Sequence, residues 1–157
     1  MLQIELIDFG ACQGYSRKFV DKFRRLLSAA IAENRTECLN MSRDIGYLTG
    51  EENQVWLFFA FTVRLLTNLL LQIMLDAHVA SLFALAEPFR SNSYNFQDQT
   101  ITDRVRAQIP VMLRHRLTPP PNETYSLNRK LSGAFLLCAH LGSTVDARSL
   151  VDSVISS

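Results

Sequence analysis

The feature that most limits how this chain can fold is a helical pattern that runs from Glu51 towards Glu87 and stops before Pro88. Taken as one helix, its 37 residues would extend over roughly 55 Å at 1.5 Å per residue, which exceeds the diameter of a domain this size. Its middle, Val55–Gln72, is apolar on nearly every side. The segment therefore needs an environment that a compact helical domain does not ordinarily provide.

One such environment is a membrane. The stretch from Val55 to Leu75 is about the length of a bilayer crossing. Arg64, Thr67 and Asn68 lie near its centre, however, and an arginine at mid-depth costs roughly 2.5–3.5 kcal/mol on insertion scales. The surrounding phenylalanines and leucines could offset that cost. The pattern leaves open a membrane-contacting helix and a buried or aggregation-prone one.

A third interpretation treats residues 55–72 as an insertion. Without them, Gln54 joins Ile73 and the helix shortens to 19 residues, roughly 28 Å, which is a normal domain length. The 18 extra residues make five turns, so they keep the helical phase but move the far end by roughly 27 Å, and a compact lobe would have to loop them out.

The codons that could encode this segment suggest an origin. Val55 can be encoded by GTN and Gln72 by CAG, which match the boundaries of an intron, and Leu66-Thr67 can encode a branch-point-like string. Our hypothesis is that residues 55–72 are a translated retained intron, and its competitor is a genuine membrane-contacting helix.

The rest of the chain predicts further helices behind a single strand. Ser16 is a suitable N-cap for a helix through about Glu33, and Gly142 is a natural stop for a later one. The remaining N-terminal predictions are a strand over 2–6 and a short helix over 37–44 opened by Thr36. After a loop over 89–101, Thr102 is predicted to cap a helix through Ile109 that is interrupted at Pro110 and resumes as a helical turn over 111–116. The C-terminal predictions are a stiff linker over 117–123, a helix capped by Ser126, and a last helix from Ala147 to about Ile155. The predicted fold class is mainly α.

Composition excludes several functional classes. The 157 residues carry a formal net charge of +1, so nothing in the charge balance calls for nucleic acid. The three cysteines are far apart and fit a reducing compartment, and the three histidines stand apart, so no zinc cluster is proposed. The basic face of the helix after Ser16 is either solvated or a contact for phosphate or anionic lipid. The Arg114-His115-Arg116 cluster is either solvated or a contact for phosphate.

One short motif carries a chemical meaning. Asp8, Phe9 and Gly10 follow the apolar N-terminal strand. In kinase-type phosphotransferases this order supplies a carboxylate for the Mg²⁺ that bridges the ATP phosphates, an aromatic ring that packs beneath it, and a glycine that lets the backbone turn. Alone, the tripeptide could equally be a plain strand end with a capping aspartate.

Two later blocks raise its significance. In order along the chain, the three blocks are Leu6-Ile7-Asp8-Phe9-Gly10-Ala11, Pro110-Val111-Met112-Leu113-Arg114-His115-Arg116-Leu117 and Pro119-Pro120-Pro121-Asn122-Glu123-Thr124-Tyr125-Ser126-Leu127-Asn128-Arg129-Lys130. Together they closely resemble the C-terminal part of the UbiB-type atypical kinases, the aarF-domain-containing (ADCK-type) proteins linked to coenzyme Q (ubiquinone) biosynthesis. Residues 19–43, 47–50 and 76–78 also fit that pattern, and only residues 55–72 fall outside it.

The resemblance implies a partial protein-kinase-like C-lobe with Asp8 as a Mg²⁺ ligand and Asp8, Phe9 and Gly10 at the ATP site. It also implies a mitochondrial location and other coenzyme Q biosynthesis proteins as partners. No Ala-Pro-Glu motif follows Gly10, so a conventional peptide-docking platform is not expected. The family is associated instead with ATP hydrolysis and the handling of small molecules or lipids.

Phosphoryl transfer also needs a lysine on the phosphates, a cover over the nucleotide, a catalytic-loop aspartate and an asparagine for a second metal ion. In the family these groups precede Asp-Phe-Gly, where this sequence has only seven residues. We therefore expect residues 1–157 to be the C-terminal fragment of an atypical kinase-like domain, without catalytic competence and without bound ATP or Mg²⁺ of its own. The alternative is a non-catalytic helical module that contacts a membrane, a lipid surface or another protein.

Overall fold

The computed structural model describes residues 12–48, 61–116 and 119–155. Within these ranges the chain forms six α-helices: α1 (Arg17–Ile31), α2 (Arg35–Ile45), α3 (Phe61–Ala86), α4 (Ile101–His115), α5 (Asn122–His140) and α6 (Ala147–Ile155). A 3₁₀ turn over Glu87–Arg90 follows α3. Two short strands, β1 (Tyr94–Asn95) and β2 (Thr144–Val145), pair antiparallel. The predicted mainly α fold class is confirmed, whereas the strand predicted over residues 2–6 lies outside the described residues.

The first two helices begin at side-chain caps. The Ser16 hydroxyl accepts a hydrogen bond from the Phe19 N–H, as predicted, with 3.2 Å between Oγ and N. The prediction that Thr36 opens α2 is wrong. The cap is Asn34, two residues before Thr36, and the Asn34 side chain accepts a hydrogen bond from the Glu37 N–H. Asparagine is as good a cap as any residue, and its position fixes the start of the helix.

Two further helix boundaries differ from the prediction. Helix α4 begins at Ile101, so Thr102 lies within it and is not its cap; the Gln99 side chain accepts from the Ile101 and Thr102 N–H groups instead. The helix also runs through Pro110 without interruption, at the loss of the one N–H donor that proline lacks. Helix α5 begins at Asn122 after Pro121, so Ser126 lies within it and is not its cap. Gly142, with φ +58°, ends α5 as predicted, and α6 spans Ala147–Ile155 as predicted.

The predicted loop over 89–101 contains more order than expected. It begins within the 3₁₀ turn and includes β1, which pairs Tyr94 with Val145 and Asn95 with Thr144. The Phe96 N–H extends the pairing by donating to the Ser143 carbonyl. This strand partner is distant in sequence, so the local residue pattern could not indicate it.

The helices enclose two apolar clusters. The larger joins α1, α2 and α3, with Leu26, Cys38, Met41, Met74 and Leu75 among its buried members. The smaller surrounds Phe96, Ile101 and Phe135 and joins β1, α4 and α5. Helix α3 takes part in the larger cluster and lies against α4, so it is the element that connects both halves of the fold.

Helix α3 is also the candidate for a membrane segment. Among the described residues, Leu69–Arg90 is long and apolar enough to cross a bilayer, and 44% of its window is buried inside the fold. Residues 61–72 continue directly as helix into Ile73, so this part of the suspected insertion is not looped out. The pattern of burial is that of a helix whose C-terminal half belongs to a protein core.

A candidate binding cavity beside Tyr47

A single tyrosine connects the C-terminal end of α2 with three other helices. Gly46 ends α2 with φ +95°, a conformation that favours glycine, and the Tyr47 and Leu48 N–H groups then donate to the Ser42 carbonyl at 2.8 and 3.3 Å. This turn directs the Tyr47 side chain inwards, where only 5% of the residue is exposed.

The neighbours of Tyr47 come from α3, from the end of α4 and from α5. The His78 ring lies 5.4 Å from the Tyr47 ring between centroids, and the Arg116 guanidinium carbon lies 5.8 Å from the same ring centre. Arg116 Nη2 also approaches the Tyr47 carbonyl at 3.4 Å. The Asn128 Nδ2 donates to the Tyr47 hydroxyl at 3.0 Å.

Burial is the largest cause of the pKa shifts of Tyr47 and Arg116. It raises the pKa of the Tyr47 hydroxyl, and hydrogen bonding with Thr124 and Asn128 and the charge of Arg116 oppose only part of that effect. Burial also lowers the pKa of the Arg116 guanidinium, since a desolvated cation is disfavoured, while the charge of Tyr47 acts in the opposite direction. Tyr47 is therefore a neutral hydrogen-bonding group at ordinary pH.

A cavity of about 340 Å³ opens beside this cluster. Its apolar wall is formed by α3 and α4 and its polar end by the residues around Tyr47. The lining includes Tyr47, His78, Ser81, Leu82, Leu85, Val105, Ile109, Met112, Arg116, Thr124, Asn128, Arg129 and Ser132. A mainly apolar wall with a few convergent polar groups is typical of small-molecule sites.

The predicted ATP and Mg²⁺ residues, Asp8, Phe9 and Gly10, lie outside the described residues, so their role stays a prediction. The chain that follows them is fixed, because Ser126 of α5 donates to Gln13 Oε1 at 2.7 Å and shares a 2.7 Å hydrogen bond with the Tyr15 hydroxyl. Within the described ranges no group of three or more histidine, cysteine, aspartate or glutamate residues could hold a metal ion.

The structure separates the members of both basic groups. Arg114 is exposed, whereas Arg116 is partly buried over Tyr47, so the interpretation of the whole cluster as solvated is wrong for Arg116. On α1, Lys22 donates to the Asp44 carbonyl and Arg25 pairs with Glu37 at 3.4 Å, both at exposed positions. Part of the basic face of α1 is thus engaged by α2.

The cavity was not predicted from the sequence, although the segments that contribute its polar residues were each singled out there. Tyr47, His78, Arg116 and Asn128 each belong to a segment that matched the UbiB-type pattern, but these segments are up to about 80 positions apart in the chain. Their convergence on one ring is a property of the tertiary structure. One sequence signal pointed to the site: these four separate segments all match the pattern of the same family.

The relationship of this helical lobe to known proteins comes from its similarity to curated atypical kinases. No family model matches the chain. It is 47% identical over 156 residues to the fission yeast (Schizosaccharomyces pombe) protein named atypical kinase COQ8, mitochondrial, covering 98% of this chain and 23% of that protein. It is 43% identical over 157 residues to the Saccharomyces cerevisiae protein of the same name, covering 98% of this chain and 28% of that one.

A further relative, atypical kinase coq-8, mitochondrial, of Caenorhabditis elegans, is 40% identical over 153 residues, with 97% of this chain and 18% of that protein covered. The resemblance to the UbiB-type atypical kinases is therefore confirmed. The predicted mitochondrial location agrees with the names of these relatives. The chain spans about a quarter of the length of the curated relatives it matches.

Proposed function

We propose that this chain is the C-terminal helical lobe of a UbiB-like atypical kinase or ATPase that supports coenzyme Q biosynthesis in mitochondria. The observation that carries the proposal is the similarity of nearly the whole chain to proteins named atypical kinase COQ8. The meeting of four motif-bearing segments at Tyr47 supports it, since it gives those segments a common structural role. Other coenzyme Q biosynthesis proteins are the partners that this function entails.

In the full-length protein, Asp8 would bind Mg²⁺, with Phe9 and Gly10 shaping the backbone beside the ATP phosphates. The support for this assignment is the resemblance of the Asp8-Phe9-Gly10 motif to that of the UbiB-type atypical kinases. The metal ion and the nucleotide supply the electrostatic stabilisation that phosphoryl transfer requires. One carboxylate without a phosphate-binding lysine, a catalytic-loop aspartate and a second metal ligand is insufficient, so we expect the 157-residue chain to be inactive by itself.

The test uses the full-length protein that contains this chain. We expect Mg²⁺-dependent nucleotide binding that Asp8→Asn abolishes and that Asp98→Asn, a matched change at an exposed turn, leaves unaltered. Equal MgATP binding by the full-length Asp8→Asn variant would contradict the role of Asp8. Equally tight binding by the isolated 157-residue chain would contradict the requirement for the missing groups.

The second candidate function is a non-catalytic membrane-associated or interaction module. The observation in its favour is that α3 exposes large apolar side chains at its N-terminal side: Leu69 is 56% exposed, Leu70 42% and Ile73 41%. Flotation with liposomes separates the two candidates. Binding that is lost in the Leu69→Ser/Leu70→Ser/Ile73→Ser variant, but kept when the exposed Leu136 and Leu137 are changed to serine, would favour the membrane function.

We further propose that residues 55–72 interrupt an otherwise shared domain. Eighteen residues correspond to five turns at 3.6 residues per turn, so a helix that lost them would keep its phase, and Ile73 and the core residues after it would keep their orientation. Genomic and transcript sequences test the retained-intron origin. If every spliced transcript keeps these codons without intron signals, the segment is a genuine part of the protein and the membrane function gains support.

A further inference from the structure

We propose that the cavity beside Tyr47 is a binding site for a small carboxylic acid with an apolar body. The carboxylate would lie against Arg116 and Asn128, and the apolar body would extend along α3 and α4. This site goes beyond the kinase function and does not depend on nucleotide binding. Three observations carry it: the size and lining of the cavity, the state of Arg116, and the arrangement of hydrogen-bond donors around it.

The cavity suits a small apolar molecule. Its volume of about 340 Å³ lies at the lower end of the range for ligand sites, roughly 300–1,000 Å³. Leu82 and Leu85 of α3 face Val105, Ile109 and Met112 of α4 across it. Ile109 is 42% exposed even though it lines the cavity, so an apolar ligand would remove part of its surface from water.

Arg116 supplies the charge complementarity. Its Nε is buried without a hydrogen-bond partner, and its side-chain contacts within the described residues are with Tyr47 and do not include a carboxylate. A desolvated cation without an anion is unfavourable, and burial already lowers its pKa. A ligand carboxylate would supply the missing anion and could engage the planar guanidinium through two parallel hydrogen bonds.

The other groups at the polar end fit the same ligand. Arg129 lines the cavity as a second cation, and Asn128 offers the amide N–H that is not used for the Tyr47 hydroxyl. The Tyr47 hydroxyl accepts from Asn128 and is also hydrogen-bonded with Thr124, so it orients the Asn128 amide beside the cavity. Two cationic side chains and an amide N–H therefore line this end of the cavity, which favours an anion over a cation.

The experiment is calorimetric titration of the 157-residue chain with octanoate and with octan-1-ol at pH 7.5. We expect one octanoate per chain and at least tenfold weaker binding of the alcohol. Arg116→Gln should weaken octanoate binding at least tenfold, while Arg114→Gln, an exposed arginine near the end of the same helix, should leave it unchanged. Ile109→Trp should abolish binding by filling the apolar end.

Circular dichroism of each variant shows whether it is folded. If Arg116→Gln does not fold, the comparison of acid with alcohol and the Ile109→Trp variant still decide the question. Absence of octanoate binding to the unaltered chain, equal affinity for the alcohol, or full binding by Ile109→Trp would overturn the proposal. Since no nucleotide is present, none of these results bears on the role of Asp8, and loss of MgATP binding in Asp8→Asn leaves this site untouched.

Discussion

The Ser42 hydroxyl and the His78 imidazole are hydrogen-bonded in the core between α2 and α3, with 2.8 Å between Oγ and Nε2. Both residues are buried, with Ser42 0% and His78 4% exposed. The carbonyl of Ser42 also receives the N–H groups of Gly46, Tyr47 and Leu48. One serine therefore fixes both the turn that carries Tyr47 and the helix that carries its ring neighbour.

Replacing Ser42 with alanine should lower the free energy of unfolding by about 1–3 kcal/mol, because the change removes a buried hydrogen bond and leaves a ring nitrogen of His78 without that partner. Ser153→Ala is the matched control, since its hydroxyl bonds to the Leu150 carbonyl at an exposed position, and we expect a change within about 0.5 kcal/mol. Urea denaturation measures both. Equal losses in the two variants would show that the buried contact contributes nothing.

Two glycines, one within α5 and one just after it, should respond to alanine with stability changes of opposite sign. Gly142 has φ +58° and ends the helix, so Gly142→Ala should destabilise the fold by about 1 kcal/mol. Gly133 lies within the helix, and a Cβ there would meet nothing within 4 Å, so Gly133→Ala should stabilise by about 0.5–1 kcal/mol. Thermal unfolding measures both, and shifts of the same sign would contradict the assignment.

Acid should destabilise the fold through Glu87. Burial raises the pKa of the Glu87 carboxyl, but hydrogen bonds from Arg104 and Tyr94 and the charges of Arg104 and Arg90 outweigh it and hold the pKa below its ordinary value of 4.5. A carboxyl whose pKa is lower in the folded state stabilises the fold above the unfolded value, and that contribution is lost as pH falls through the folded pKa. The free energy of unfolding should therefore decline below about pH 4.5.

Glu87→Gln should flatten this decline, because the variant has no carboxyl to protonate at that position. Asp103→Asn serves as the control, since the Asp103 side chain is 80% exposed and its ion pair with Arg106 is long, at 3.8 Å. Unfolding curves between pH 3 and 6 make the comparison. An unchanged slope in Glu87→Gln would remove Glu87 from the acid response.

The cysteines should differ in their reactivity. Burial, followed by the charge of Glu37, raises the pKa of the Cys38 thiol to about 11, whereas Cys12 is exposed. Because the thiolate is the reactive form, alkylation of Cys38 by iodoacetamide at pH 8 should be roughly a hundredfold slower in the folded chain than in guanidinium. Mass spectrometry of the labelled peptides measures this, with Cys12 as the internal reference. Rapid labelling of Cys38 in the folded chain would contradict its burial.

The sequence predicted the helices well where the relevant interactions are local. Ser16, three residues before the N–H that it caps, and Gly142, which supplies a left-handed conformation, set helix ends through contacts within one turn. The errors occur where near neighbours compete or where a distant partner decides. Asn34 caps α2 instead of Thr36, α4 continues through Pro110, and β1 exists because β2, about 50 residues later, pairs with it.

The mainly helical class and the relationship to atypical kinases follow from the amino-acid sequence, because apolar spacing, capping residues and motif order are all encoded along the chain. The tertiary structure alone decided that Tyr47, His78, Arg116 and Asn128 share one site, and that Arg116 is partly desolvated while Arg114 stays in water. The physical reason is that burial and charge pairing depend on which helix faces pack together, and residues tens of positions apart become neighbours only when those faces meet.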